Sequence, residues 1–114
     1  MASTADRSTL GATLCYNPLN MLVESHAHLT MPDYAPDLPS VLDRAAKTGV
    51  SYIVCVGVDL ASSRESIELA ERNPGVVATV GVHPNDSDQL PSNWLAELRA
   101  LSAHPRVVAL GEIG

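Results

Sequence analysis

Apolar and polar positions fall in alternating blocks along this chain, and the blocks repeat. Met21-Leu22-Val23 opens a short apolar run that turns polar at Glu24-Ser25-His26-Ala27-His28. A proline-punctuated loop, Thr30 to Pro36, leads to a segment from Pro39 to Lys47 whose Val41, Leu42, Ala45 and Ala46 form a helical stripe. Pro39 suits a first helical turn and Gly49 the position just past the end. The unbroken run Tyr52 to Val58 predicts a strand buried on both faces. Ser62 and Glu65 have the spacing of a capping box. The helix they open carries Ile67, Leu69 and Ala70 and stops at Asn73-Pro74-Gly75. Val76 to Val80 predicts a third strand and Val107 to Leu110 a fourth. Between them, Trp94, Leu98 and Leu101 mark one face of a helix from Asn93 to Ser102, ended by His104-Pro105.

The strands begin near 21, 52, 76 and 107, at steps of 31, 24 and 31 residues, which is the period of a repeated strand–helix unit. Such alternation with apolar strands builds a parallel sheet covered by helices. The predicted fold class is α/β: about three and a half strand–helix units, the amino-terminal portion of a TIM (β/α)8 barrel that needs about 250 residues. A small open sheet of four parallel strands is the alternative. The barrel reading divides the chain into a disordered extension at 1–20 and a partial barrel at 21–114, cut at the end of strand four. It also predicts an open sheet edge and an uncovered apolar interior, hence self-association.

Charge narrows the functions. Seven Lys and Arg stand against 13 Asp and Glu, a formal net charge of −6. No basic excess exists to hold nucleic acid by charge alone. A protein of this balance that acts on phosphates needs a bound cation to supply positive charge. No apolar run approaches the roughly 20 residues of a membrane helix. Residues 1–20 lack the apolar core of a secretory signal; a transit peptide is the weaker reading of that stretch. Cys15 and Cys55 make no disulfide framework, so Cys55 is expected as a buried thiol and the setting as cytoplasmic.

The candidate chemistry sits at strand ends. His26 and His28 are two apart at the end of strand one, so an extended backbone points both imidazoles to one face, where they can share a divalent cation. Strand three ends in His83, within Gly81-Val82-His83-Pro84. Strand four ends in Glu112, within Gly111-Glu112-Ile113-Gly114. Three of four strand ends therefore present a His or Glu at the same end of the sheet, where α/β folds build their sites. A carboxylate among imidazoles is costly to bury unless it binds a cation. Glu24, at i−2 from His26, is placed to orient a histidine ligand from behind, or simply to face solvent. Asp59 reads as a helix-start residue, or else as a polar group at the mouth of the site. His104 falls at the opposite end of the fold, expected to cap a helix or face solvent.

These motifs, Glu24-Ser25-His26-Ala27-His28-Leu29, Gly81-Val82-His83-Pro84 and Val108-Ala109-Leu110-Gly111-Glu112-Ile113-Gly114, resemble in order and spacing the amino-terminal half of the TatD family of metal-dependent deoxyribonucleases, amidohydrolase-like TIM barrels. The resemblance covers about 21–114. It implies that His26, His28 and Glu112 are metal ligands for one or two divalent cations (Mg, Mn or Zn). It implies that His83 stands on the substrate or phosphate side, and that the remaining ligands come from later strands. The implied activity is hydrolysis of phosphodiester bonds in DNA or a related substrate, the cation activating water and stabilising charge on the phosphate. The chain alone, with part of the site, is expected to be inactive. The sequence departs from the family pattern at Glu24 (usually Asp), Thr30 (commonly Asp) and Asn85 (often His). The alternatives are another amidohydrolase-like barrel hydrolase, or a non-catalytic metal-binding or interaction module.

Overall fold

The computed structural model describes residues 21–114; the expectations for the extension at 1–20 and for Cys15 lie outside these residues. Four strands, β1 (Leu22–Ala27), β2 (Val50–Val56), β3 (Val76–Val80) and β4 (Val107–Leu110), alternate with three α-helices, α1 (Leu38–Lys47), α2 (Leu60–Arg72) and α3 (Trp94–Ser102). All neighbouring strands are parallel and lie in chain order β1-β2-β3-β4. Short 3₁₀ segments at Pro32–Tyr34 and Pro84–Gln89 follow the carboxyl ends of β1 and β3.

The core lies between the two central strands and α2. Ile53, Cys55, Val76, Ala78 and Val80 meet Ile67 and Ala70, with Leu29 closing one side. Cys55 is fully buried, as its apolar run implies, and its Sγ lies 3.3 Å from Ser66 Oγ. The apolar stripe of α2 is only part of what it buries. Ser63 and Ser66 are also fully buried, because small side chains let the helix settle close to β2 and β3.

Local chemistry moves some boundaries. The α2 cap is Asp59, not the Ser62–Glu65 pair. Asp59 Oδ1 accepts from the Ser62 N–H at 2.6 Å, and Ser62 Oγ accepts from the Asp59 N–H at 3.1 Å. Ser62 thus serves as the third residue of the box and not its first. The helix consequently starts at Leu60, whose side chain is buried. β2 begins and ends two residues earlier than the apolar run suggests, and Tyr52 is exposed. A strand buried on both faces therefore holds for its second half only.

His104 lies at the end of the fold away from the other histidines. It does not cap a helix. Its Nδ1 accepts from the Arg106 N–H at 3.1 Å, and its Nε2 meets Glu71 Oε1 at 3.0 Å. Arg106 then crosses the end of α2, donating to the carbonyls of Ala70 and Pro74. β1 and β4 are the sheet edges. Leu22, Val23, Val108 and Leu110 on them are exposed, as is Ile113 beyond β4.

Candidate metal centre

His26 and His28 leave the end of β1 with their Nε2 atoms 3.2 Å apart. Glu112, just past β4, brings Oε2 to 3.4 Å from His26 Nε2 and 3.8 Å from His28 Nε2. One ligand atom from each of the three falls within 4.8 Å of the other two. For a tetrahedral cation with ligands at about 2.0–2.1 Å, neighbouring donors stand about 3.3–3.4 Å apart. The three separations bracket that edge length, so the donor set fits a divalent cation. Two imidazoles and a carboxylate suit zinc or manganese, and three protein ligands leave room for a further one. Glu112 is about one-third exposed, so the centre opens to solvent on one side.

These groups come together because the chain carries on across the sheet beyond the end of the β4 ladder at Leu110. Gly111 N–H still donates to Val80 O at 2.9 Å, as a strand residue would. The next residue reaches past β3: Glu112 N–H donates to Gly57 O at 2.8 Å, at the end of β2. The chain passes directly over Gly81. A Cβ on Gly81 would lie 2.4 Å from the Gly111 carbonyl carbon and 2.8 Å from the Glu112 nitrogen, a contact no side chain tolerates. Thr79 Oγ1 donates to Gly111 O at 3.0 Å from below. The Gly111–Glu112 peptide is cis. The second strand end, which carries no His or Glu, therefore enters the site through its backbone carbonyl. A glycine closing an apolar strand was its only mark in the sequence.

Glu24 acts on His26 through the main chain. Its Oε1 accepts from the His26 N–H at 2.9 Å and bonds neither ring. The pairing of β1 with β2 slips between Glu24 and Ala27, which face Ile53 and Cys55 respectively. Three steps on one strand against two on the other make a bulge, and period-2 alternation does not carry through it. The carboxylate satisfies an N–H at that irregular turn of the strand.

His83 joins the cluster from β3. Its Nδ1 accepts from the Asn85 N–H at 3.1 Å. The ring proton accordingly sits on Nε2, which points at Glu112 Oε1 from 3.5 Å. His83 in this tautomer offers an N–H to an oxygen and no lone pair to a cation, unlike His26 and His28. Asn85 supplies its bond through the backbone, so a residue other than histidine at that position leaves His83 held. His83 N–H also donates to Val58 O.

Two clefts flank the cluster. One, of about 410 Å³, runs beneath His26 and His28 between β1 and α1, past Met31 and Tyr34. The other, of about 490 Å³, lies between the loop after β3 and α3, lined by Val82, Trp94 and Ile113. No helix among the described residues is long and apolar enough to cross a membrane.

Known proteins resemble this chain in sequence and in fold. A family model described as TatD related DNase matches residues 23–114. The chain is 39% identical over 94 residues to the uncharacterized metal-dependent hydrolase YabD of Bacillus subtilis strain 168, covering 82% of this chain and 37% of that protein. It is 37% identical over 87 residues to the 3'-5' ssDNA/RNA exonuclease TatD of Enterobacter lignolyticus strain SCF1, covering 76% and 34%. Among solved structures, the crystal structure of YJJV, a TatD homolog from Escherichia coli K12, superposes with a TM-score of 0.74 at 30% identity over 84% of this chain and 38% of its own. The chain thus spans little more than a third of the relatives it matches.

Proposed function

The chain belongs to the TatD-related DNase family, and on that premise we propose that it carries part of the site of a metal-dependent phosphodiesterase acting on single-stranded DNA. The convergence of His26 Nε2, His28 Nε2 and Glu112 Oε2 on one point carries this reading. A divalent cation held there supplies Lewis acidity and the positive charge that a protein of net charge −6 otherwise lacks. The protein's own groups set the geometry. Glu24 fixes the backbone of His26, and Gly57 fixes that of Glu112. His83 carries its Nε2–H 3.5 Å from Glu112 Oε1, at the margin of the cluster, where a phosphate oxygen can take that hydrogen bond instead. That hydrogen bond orients the substrate and favours charge on the oxygen.

That relatives such as the Enterobacter lignolyticus protein are named 3'-5' ssDNA/RNA exonucleases supports single strands as the substrate class. Strands β1 to β4 provide three donors, and because these residues span about a third of the relatives' length, the remaining wall of the site is assigned to the rest of that length. The 114-residue chain by itself is accordingly inactive in this reading.

The test is cleavage of end-labelled single-stranded DNA with added Mg²⁺ or Mn²⁺. It compares this chain with a form continued past Gly114 by the rest of a relative's barrel. Cleavage by the continued form alone, lost in His26→Ala and in Glu112→Ala, is the expected result. Cleavage by neither form, with cation binding intact, would overturn the enzymatic reading in favour of a binding module. Hydrolysis of amides or phosphotriesters but not DNA would move the assignment to another hydrolase of the barrel superfamily.

A further inference from the structure

Ser63 touches no side chain of the metal cluster, yet its hydroxyl occupies both polar groups of the residue that Glu112 passes over. Gly81 N–H donates to Ser63 Oγ at 3.2 Å, and Ser63 Oγ lies 3.3 Å from Gly81 O. Ser63 is fully buried, so no water stands in for it. Gly57 makes this approach feasible. A Cβ there would lie 2.4 Å from Ser63 Oγ and 2.9 Å from Thr79 O. The same Gly57 accepts the Glu112 N–H through its carbonyl. One helix residue thereby fixes the crossing point of three strand ends: Gly57 of β2 beneath it, Gly81 of β3 bonded to it, and Gly111–Glu112 of β4 laid across Gly81. Thr79 adds the second tie, donating to Gly111 O at 3.0 Å.

We propose that Ser63, with Thr79, is a positioning residue for the Glu112 carboxylate, acting through Gly81 and the main chain of β4. This rests on the metal-site reading above and assigns to α2 a part in that site which no ligand residue on it would reveal. The physical reason is that Glu112 has no regular strand beneath its own ladder position. Its carboxylate is located by main-chain contacts with Gly57 and Gly81; Gly57 is held by its own N–H to Thr79 O at 3.1 Å, whereas the polar groups of Gly81 are held by the Ser63 hydroxyl. Removing the Ser63 hydroxyl leaves a buried N–H and C=O unbonded, and Gly81 relaxes toward other partners. Outer groups that orient metal ligands are worth about 10–100-fold in metal affinity.

The experiment is Zn²⁺ titration calorimetry on the 114-residue chain and its variants, alongside urea unfolding. Ser63→Ala is expected to weaken Zn²⁺ binding about tenfold, and Thr79→Val, nearly isosteric, to shift it the same way. Ser66→Ala, one turn along the same buried helix face and bonded to Cys55 Sγ, is the control for lost stability and leaves affinity unchanged. In a Glu112→Gln background, Ser63→Ala is expected to have no further effect. Equal effects of Ser63→Ala, Thr79→Val and Ser66→Ala, or a Ser63 effect that persists in Glu112→Gln, overturn the positioning role while leaving the metal site standing. If Ser63→Ala does not fold, Thr79→Val alone decides between these outcomes. Absence of Zn²⁺ binding in the unsubstituted chain, or binding that His26→Ala and Glu112→Gln leave unchanged, overturns the metal-site reading itself and this proposal with it.

Discussion

His26 and His28 hold their rings nearly edge-on, 75° between planes and 4.9 Å between centroids, with Nε2 atoms 3.2 Å apart. Residues two apart on a strand have backbones about 6–7 Å apart, so the side chains converge over their length. The tips meet where Glu112 arrives from the far edge of the sheet. This three-sided convergence gives the most direct prediction. Glu112→Gln keeps the shape and removes the charge, and it is expected to weaken Zn²⁺ or Mn²⁺ binding by more than the roughly 10–100-fold assigned to outer groups. Calorimetric titration checks it. An unchanged affinity would remove Glu112 from the ligand set.

His83 separates orientation of substrate from retention of metal. With Nδ1 occupied by the Asn85 N–H and Nε2 carrying the proton, it does not donate a lone pair to a cation. His83→Ala is expected to leave cation affinity within about threefold and to lower kcat about 100-fold in a barrel-completed form, the scale of a lost hydrogen bond to developing charge. Metal titration and single-turnover cleavage read the two effects separately. A parallel collapse of both would make His83 a ligand.

Gly81→Ala forces a methyl to within 2.4 Å of the Gly111 carbonyl carbon. Backbone must move, because no flexible side chain is there to yield. The expected cost is about 1–3 kcal/mol of stability from overpacking, together with a loss of cation affinity, since the displaced segment is Glu112 itself. Urea unfolding with and without Zn²⁺ distinguishes the two components.

Asp59 provides the contrast. It closes the capping box of α2 with Ser62 and takes no part in the cluster. Asp59→Ala is expected to cost about 1 kcal/mol and to leave cation affinity where it was. A drop in affinity on this substitution would show that general loosening of α2, and not particular contacts, governs the site.

Val108 and Leu110 stand exposed on the β4 edge, at 58% and 59% of their full surface. Apolar edge strands template pairing with other chains. Val108→Lys with Leu110→Lys is expected to lower the apparent mass of the chain in light scattering at high concentration. A mass of one chain before substitution would discard the association expectation.

The sequence carried the repeating strand–helix order and the residue types at three strand ends, because buried strands and helix stripes obey local periodicities. What it hid depended on partners far along the chain. The Asp59–Ser62 box competed with an equally spaced Ser62–Glu65 pair, and the burial of Leu60 against the sheet settled which one starts the helix. The bulge in β1 exists only relative to β2, so alternation placed Glu24 behind His26 but could not show that it bonds the His26 main chain and neither ring. Gly57 and Ser63 contribute a carbonyl and a buried hydroxyl, chemistry that any glycine or serine could offer. Only the crossing of β4 over β3 gives them their part.

That crossing bears on assembly. Glu112 is tethered to β2 and laid over β3, so its location owes nothing to any strand that would follow β4. The three candidate donors thus lie within one four-strand unit whose edges are β1 and β4. A separately produced second piece of the barrel, docking on β4, would meet a half-socket already shaped for its ion. Reconstitution from two polypeptides would then turn on pairing at both the β1 and β4 edges and on covering their exposed apolar side chains, with the ion able to add a further link.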